Sequence, residues 1–218
     1  MAQIFGPQAN GIVRFVLLLV GLGLLFWVLT MLGILRSGYV TNVGEAPAQP
    51  LPFSHEHHVH GLGIDCRYCH DTVETSAFAG IPATHTCMSC HSQVWTRDAM
   101  LAPLRASLNT GQPLSWTRVN NLADFVYFDH SIHVHQGIGC ATCHGAVDRM
   151  PLMRAEHAFR MRFCLDCHRR PEPHLRPRGE VFNMNWEPAA DQPETGRTLR
   201  IQRGIEPDTL SDCYICHR

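Results

Sequence analysis

The chain has 218 residues, a formal net charge of −1 and 17% charged residues. That length allows one or two small domains, not a large enzyme. So small a net charge gives no broad field for attracting nucleic acid. Ten cysteines and fifteen histidines stand out, and all eighteen basic residues are arginine, which suits bidentate contact with carboxylates.

Residues 1–14 read as a short cytoplasmic head. Phe15 to Leu35 is an unbroken apolar run of 21 residues with no charge, flanked by Arg14 and Arg36. At about 1.5 Å per residue it spans roughly 30 Å, one bilayer core. The apolar part of a cleaved leader would be shorter, about 7–15 residues. The run therefore predicts an uncleaved, single-pass transmembrane helix over 15–35. One arginine on each side says little about orientation. Residues 36–52 contain Gly38, Gly44, Pro47, Pro50 and Pro52 and read as an extended tether.

Every cysteine then falls in one of five C-x-x-C-H motifs. They are Cys66/Cys69/His70, Cys87/Cys90/His91, Cys140/Cys143/His144, Cys164/Cys167/His168 and Cys213/Cys216/His217. This is the attachment motif of c-type haem. Two thiols three residues apart reach the two vinyl groups of one haem and form thioethers. The adjacent His faces the iron as proximal ligand. A disulfide framework would scatter its cysteines, and zinc ribbons do not require His after every second Cys. Five haems c are expected. Such haems are attached on the exported face, which places this domain on the periplasmic side of the cytoplasmic membrane. Residues 36–218 leave about 37 residues per haem, below the ~40 at which a chain usually needs help to fold. The expected fold is mostly α and irregular with little sheet. The haems would form much of its core and lie close together.

The chain repeats itself. Phe53-Ser-His55-Glu-His57-His58-Val59-His60 and Phe128-Asp-His130-Ser-Ile-His133-Val134-His135 both read F-x-H-x-x-H-V-H. Each precedes a haem motif, so residues 53–127 read as a dihaem unit plus linker and 128–218 as a trihaem unit. The stretch Arg169 to Asp212 is a long connection, which usually has a task or a partner. On a helical turn, residues three apart share a face. His55 with His58, and His130 with His133, can then serve as distal ligands to adjacent haems. His60 and His135 repeat but lie nearer the cysteines. His57, His85, His157 and His174 have no counterpart and suit surface or propionate contacts. A fifth distal ligand could be a methionine, although a methionine near a haem is more often packing. Met88, Met150, Met153 and Met161 lie near motifs, and Met161 could reach the haem after its own.

Several runs carry a family resemblance. Phe53-Ser54-His55…His58…Gly63-Ile64-Asp65-Cys66-Arg67-Tyr68-Cys69-His70 and Thr86-Cys87-Met88-Ser89-Cys90-His91-Ser92 are two of them. The others are Phe128-Asp129-His130…His133-Val134, Asp148-Arg149-Met150 and Met161…Cys164-Leu165-Asp166-Cys167-His168-Arg169. Together they resemble the pentahaem cytochrome subunit of alternative complex III, a membrane quinol:acceptor oxidoreductase. The resemblance implies three kinds of partner: an iron–sulfur subunit related to molybdopterin enzymes, polytopic quinol-binding subunits and a monohaem cytochrome c. The second unit also resembles trihaem cytochromes of the c7 type. That likeness implies His55 on haem 1, His58 on haem 2, His130 on haem 3, His133 on haem 4 and Met161 on haem 5. The c7 pattern has His where this chain has Met161, so His157 or His174 is the alternative. A Met–His pair raises a haem's potential, which would make haem 5 the highest-potential centre, toward the exit.

The expected function is electron relay within a respiratory or photosynthetic quinol-oxidising complex, with no catalysis by the chain alone. The alternative is a self-sufficient membrane quinol dehydrogenase of the multihaem type feeding a periplasmic reductase; a tether of ~20 residues between Arg36 and His55 weighs against it. A catalytic reductase would need an open iron, and six-coordinate irons leave none. The segment from Arg149 to Arg178 carries eight arginines against Glu156, Asp166 and Glu172. These suit neutralisation of haem propionates better than a docking patch.

Overall fold

A computed structural model describes residues 6–217. The chain divides into two compact units, one up to Val43 and one from Gly44 onward.

The first unit is built on helix α1, Ala9–Arg36. Pro7 stands before its first turn, and no proline or acidic residue interrupts the run to Arg36. The helix therefore begins six residues before the apolar run does. Residues 1–5 of the expected head lie outside the described residues. None of its residues is buried, and its most apolar window has a mean hydropathy of 2.7. An all-round apolar helix of 28 residues is long enough to cross a bilayer and is a candidate membrane anchor. Ser37 ends α1, and the short α2, Gly38–Thr41, closes on Asn42 in the left-handed region at φ 55°. Asn tolerates that conformation better than most residues.

The second unit has no named strand among the described residues. An isolated bridge joins Ile138 to Leu175. Short helices follow in order: α3 (Cys66–Cys69), α4 (Thr84–His91), α5 (Ala102–Thr110), α6 (His130–His135), α7 (Cys140–His144), α8 (Met161–Arg169), α9 (Gln192–Gln202), α10 (Pro207–Leu210) and α11 (Cys213–Cys216). Glu56–Gly61 forms one wide π-type turn. The buried apolar set is small: Leu51, Val73, Leu104, Met150, Ala155, Leu175, Val181 and Ile205. So thin an apolar core suits a fold organised around large prosthetic groups. The mostly helical and irregular architecture with one apolar N-terminal helix is the one expected from the sequence.

Two connecting segments are held by specific contacts. The tether is not free along its length. Gly44 N donates to Ala155 O at 2.8 Å, Gln49 exchanges two 2.9 Å bonds with the Thr117 backbone, and the Thr117 hydroxyl donates to Ala48 O. The Arg169–Asp212 connection is likewise structured. It carries α9, which packs on the Glu172–His174 turn through Gly196, where a Cβ would collide with the Glu172 carbonyl. Gln192 donates to the carbonyls of Glu172 and Leu175, and Arg203 to those of Gln136 and Arg176. Arg176, 4% exposed, donates to Glu180 O, Asn183 O and the Thr142 hydroxyl while its guanidinium lies 4.2 Å from the Trp186 ring. These contacts fasten the connection to α7, the helix of the third motif.

Candidate haem-binding sites

Each C-x-x-C segment is a turn of helix: α3, the end of α4, α7, the middle of α8, and α11. Residues three apart on such a turn share a face, so both thiols of a motif are presented together. Asp65 starts α3 by accepting the Arg67 backbone N–H at 2.8 Å. All ten thiols are free of disulfides. Burial pushes Cys143 up to about 12, and Cys140 and Cys167 to about 11.

The distal candidates stand opposite the motif histidines. His58 faces His91 with ring centres 6.2 Å apart, His130 faces His144 at 6.3 Å, and His133 faces His168 at 6.1 Å. Two metal–nitrogen bonds of about 2 Å, plus about 1.1 Å from each nitrogen to its ring centre, require about 6.2 Å. The spacing is that of an iron between two imidazoles. His55 is also in electrostatic reach of His70. Burial, with lesser contributions from His70, His58 and His144, holds His55 down at about 4. Burial, then His130, His70 and His157, holds His144 at about 4 as well. Burial also lowers His58 and His133. These rings are neutral near pH 7, the form that binds metal.

The other ring nitrogen decides which tautomer is present. Nδ1 faces a carbonyl oxygen in His70 (Gly80, 2.7 Å), His91 (Val94, 3.3 Å), His168 (Leu210, 3.0 Å) and His217 (Phe125, 3.1 Å). It does so too in His58 (Ser54, 2.8 Å), His130 (Ala77, 2.8 Å) and His133 (Asp129, 2.7 Å). A carbonyl only accepts, so the proton sits on Nδ1 and the Nε2 lone pair is free for a metal. His135 is the reverse case: its Nε2 lies 3.0 Å from Glu74 O, so that nitrogen is engaged. His60 lies 4.0 Å from the buried Asp148 carboxylate. His57 stacks on Trp95 and His157 on Phe163. His174 is half-buried and lowered by burial and by Arg176.

The phenylalanine of the repeat has a role that sequence reasoning did not assign. Phe53 lies edge-on to His55 at 4.9 Å and stacks on His58 at 4.4 Å. Phe128 repeats this with His130 at 4.8 Å and His133 at 4.5 Å. One aromatic ring thus contacts both candidate imidazoles of each repeat. Its signal was the F that both copies carry two residues before the first His.

Met161 is the first residue of α8 and is 62% exposed. His217 packs on the Phe125 ring at 5.7 Å, not on a second imidazole.

The motifs also lie in a definite spatial series. Beyond burial, Cys69 is raised by Cys87, Cys140 by Cys66, Cys143 by Cys167 and Cys164, and Cys164 by Cys216. Motif 2 is therefore beside motif 1, motif 1 beside motif 3, motif 3 beside motif 4 and motif 4 beside motif 5.

No family model matches the sequence. Over 102 residues the chain is 36% identical to a protein of Nitratidesulfovibrio vulgaris described as the multihaem cytochrome c subunit of menaquinone reductase; the match covers 46% of this chain and 48% of that relative. This likeness and the mostly helical, sheet-poor fold support a multihaem cytochrome c. The chain spans about half the length of the curated relative it matches. A multihaem cytochrome c carries c-type haems, and the residues present fit them: paired thiols, tautomer-fixed imidazoles and a metal-sized gap between facing rings.

Proposed function

We propose that this chain is a membrane-anchored pentahaem cytochrome c. It relays electrons within a quinol:acceptor oxidoreductase of the alternative complex III type to a periplasmic acceptor. The observation that carries the reading is the continuous series of motifs, 2–1–3–4–5, with facing imidazoles at three of them and His55 in reach of His70 at a fourth. Bound haem supplies reversible one-electron chemistry. The chain's own part is to attach each haem through two thioethers and to fix the Nδ1 protons. It keeps His55, His58 and His133 neutral through burial, and it sets Phe53 and Phe128 against the distal rings. Thioethers come from Cys66, Cys69, Cys87, Cys90, Cys140, Cys143, Cys164, Cys167, Cys213 and Cys216. Proximal ligands are His70, His91, His144, His168 and His217. Distal ligands are His55, His58, His130, His133 and, for haem 5, Met161. The open series ends at haems 2 and 5. With a Met–His pair haem 5 has the higher potential, which makes it the output end and haem 2 the input end.

The partners are an iron–sulfur subunit of the molybdopterin-enzyme type, polytopic quinol-binding subunits and a monohaem cytochrome c. The haem domain lies on the exported side of the cytoplasmic membrane, with α1 spanning it once. A second reading, direct quinol oxidation by this chain, gains from the contacts that hold Gly44, Ala48 and Gln49 against their own unit. Purification from membranes in mild detergent, with haem counting and identification of co-purifying subunits, separates the two. Five haems in a stable assembly with iron–sulfur and polytopic subunits support the first. A lone cytochrome that still oxidises quinol supports the second.

A further inference from the structure

Four of the five motif imidazoles hand their Nδ1 proton to main-chain carbonyls, and the fifth does not. His144 faces the side chain of Asn120, with Asn120 Nδ2 3.0 Å from His144 Nδ1. Two N–H groups cannot bond to each other. If the ring nitrogen accepted from the amide instead, the ring proton would sit on Nε2 and block the ligating position. At the same time Asn120 Oδ1 is buried with no partner. Exchanging the amide's oxygen and nitrogen, two atoms that are assigned by their hydrogen bonds, removes the conflict at His144 and gives Oδ1 a partner. Oδ1 then accepts from His144 Nδ1–H, and Nδ2 takes the buried position that Oδ1 had.

Asn120 belongs to the linker between the two repeat units, and His144 belongs to the middle motif of the spatial series. The His144 ring is held parallel to that of His130, at 5° between planes. A main-chain carbonyl at this place would be fixed by the backbone; a side-chain amide can be changed by substitution alone.

We propose that Asn120 is a positioning residue for haem 3, accepting the Nδ1 proton of His144 and thereby setting that haem's potential. This rests on the pentahaem reading. An acceptor on Nδ1 makes Nε2 the stronger donor and favours the ferric state, so its removal raises the potential and a stronger acceptor lowers it.

The test uses the full chain purified in detergent, with a site-resolved redox titration. Haem 3 is the signal altered in His130→Ala. Asn120→Leu, which keeps the shape and removes the acceptor, is expected to shift the haem 3 ferric–ferrous balance about tenfold toward ferrous, about +59 mV for one electron. Asn120→Asp, isosteric and a stronger acceptor, is expected to move it the opposite way, with the other four haems unmoved. A haem 3 potential unchanged in Asn120→Asp, or shifted in the same direction by both variants, overturns the proposal and leaves Asn120 a structural amide. A wild-type chain with fewer than five haems would instead overturn the pentahaem reading.

Discussion

At the residue scale, ring orientation is the most informative quantity. The facing imidazoles make interplanar angles of 5° for His130/His144, 24° for His133/His168 and 61° for His58/His91. Parallel axial rings split the iron d-orbitals most, and crossed rings split them least. Electron paramagnetic resonance of the oxidised protein is therefore expected to show haem 3 as the most rhombic of these low-spin centres and haem 2 as the most anisotropic. The His130→Ala variant should remove the rhombic signal and leave a five-coordinate, high-spin iron. His135→Ala should leave all low-spin signals in place, because His135 Nε2 is already engaged with Glu74 O. A new high-spin signal in His135→Ala would make His135 a ligand. Sequence spacing favoured His133 over His135, which lies nearer the cysteines. The nitrogen that each ring has free separates the two as well.

At the scale of the element, the haem helices are too short to hold themselves together, so their ends and neighbours matter. Asp65 caps α3, and hydrogen bonds from Arg67 draw its carboxyl down to about 2. A depressed carboxyl contributes stability above its ordinary range near 3.8, and that contribution is lost as pH falls toward about 2. Because half of the side chain is solvated, the effect is expected to stay below about 1 kcal/mol. Acid titration of the haem absorption should show Asp65→Ala failing at higher pH than the wild type, with ~1 kcal/mol lost at neutral pH through the missing cap. Gly139 marks the other kind of constraint. A Cβ there would overlap the Arg176 guanidinium, which occupies the space beside the third motif. Gly139→Ala is expected to cost about 1–3 kcal/mol in thermal or denaturant unfolding of the holoprotein. An unchanged midpoint would mean that Arg176 moves aside at no cost. Nothing in the spacing of Gly139 or Arg176 announces this pair, because the two are brought together only by the folded Arg169–Asp212 connection.

On the scale of the whole molecule, the order in space differs from the order in the chain. Motif 1 adjoins motif 3, since Cys140 responds to Cys66 and His144 to His70. Removing haem 3 with Cys140→Ser and Cys143→Ser is expected to sever the series in the middle, so that haems 1 and 2 no longer equilibrate quickly with haems 4 and 5. Removing haem 2 with Cys87→Ser and Cys90→Ser should leave the other four in rapid exchange. Rapid-mixing reduction followed by site-resolved spectra distinguishes the two, and a wire unaffected by loss of haem 3 would refute the series.

The sequence by itself carried the paired-thiol pattern and the candidate anchor. Five C-x-x-C-H motifs with no cysteine left over, the doubled F-x-H-x-x-H-V-H and the uncharged run from Phe15 to Leu35 are local patterns whose meaning depends on spacing alone. It also narrowed the distal candidates, because His55, His58, His130 and His133 lie on two helical turns. Only the tertiary structure decided which motif adjoins which and that the tether is pinned at Gly44 and Gln49. It alone showed that a linker amide reaches His144. Those facts come from contacts between residues far apart in the chain, such as Asn120 with His144 and Cys66 with Cys140. No periodicity records such contacts, because the backbone between them turns through loops whose paths are fixed by what they pack against.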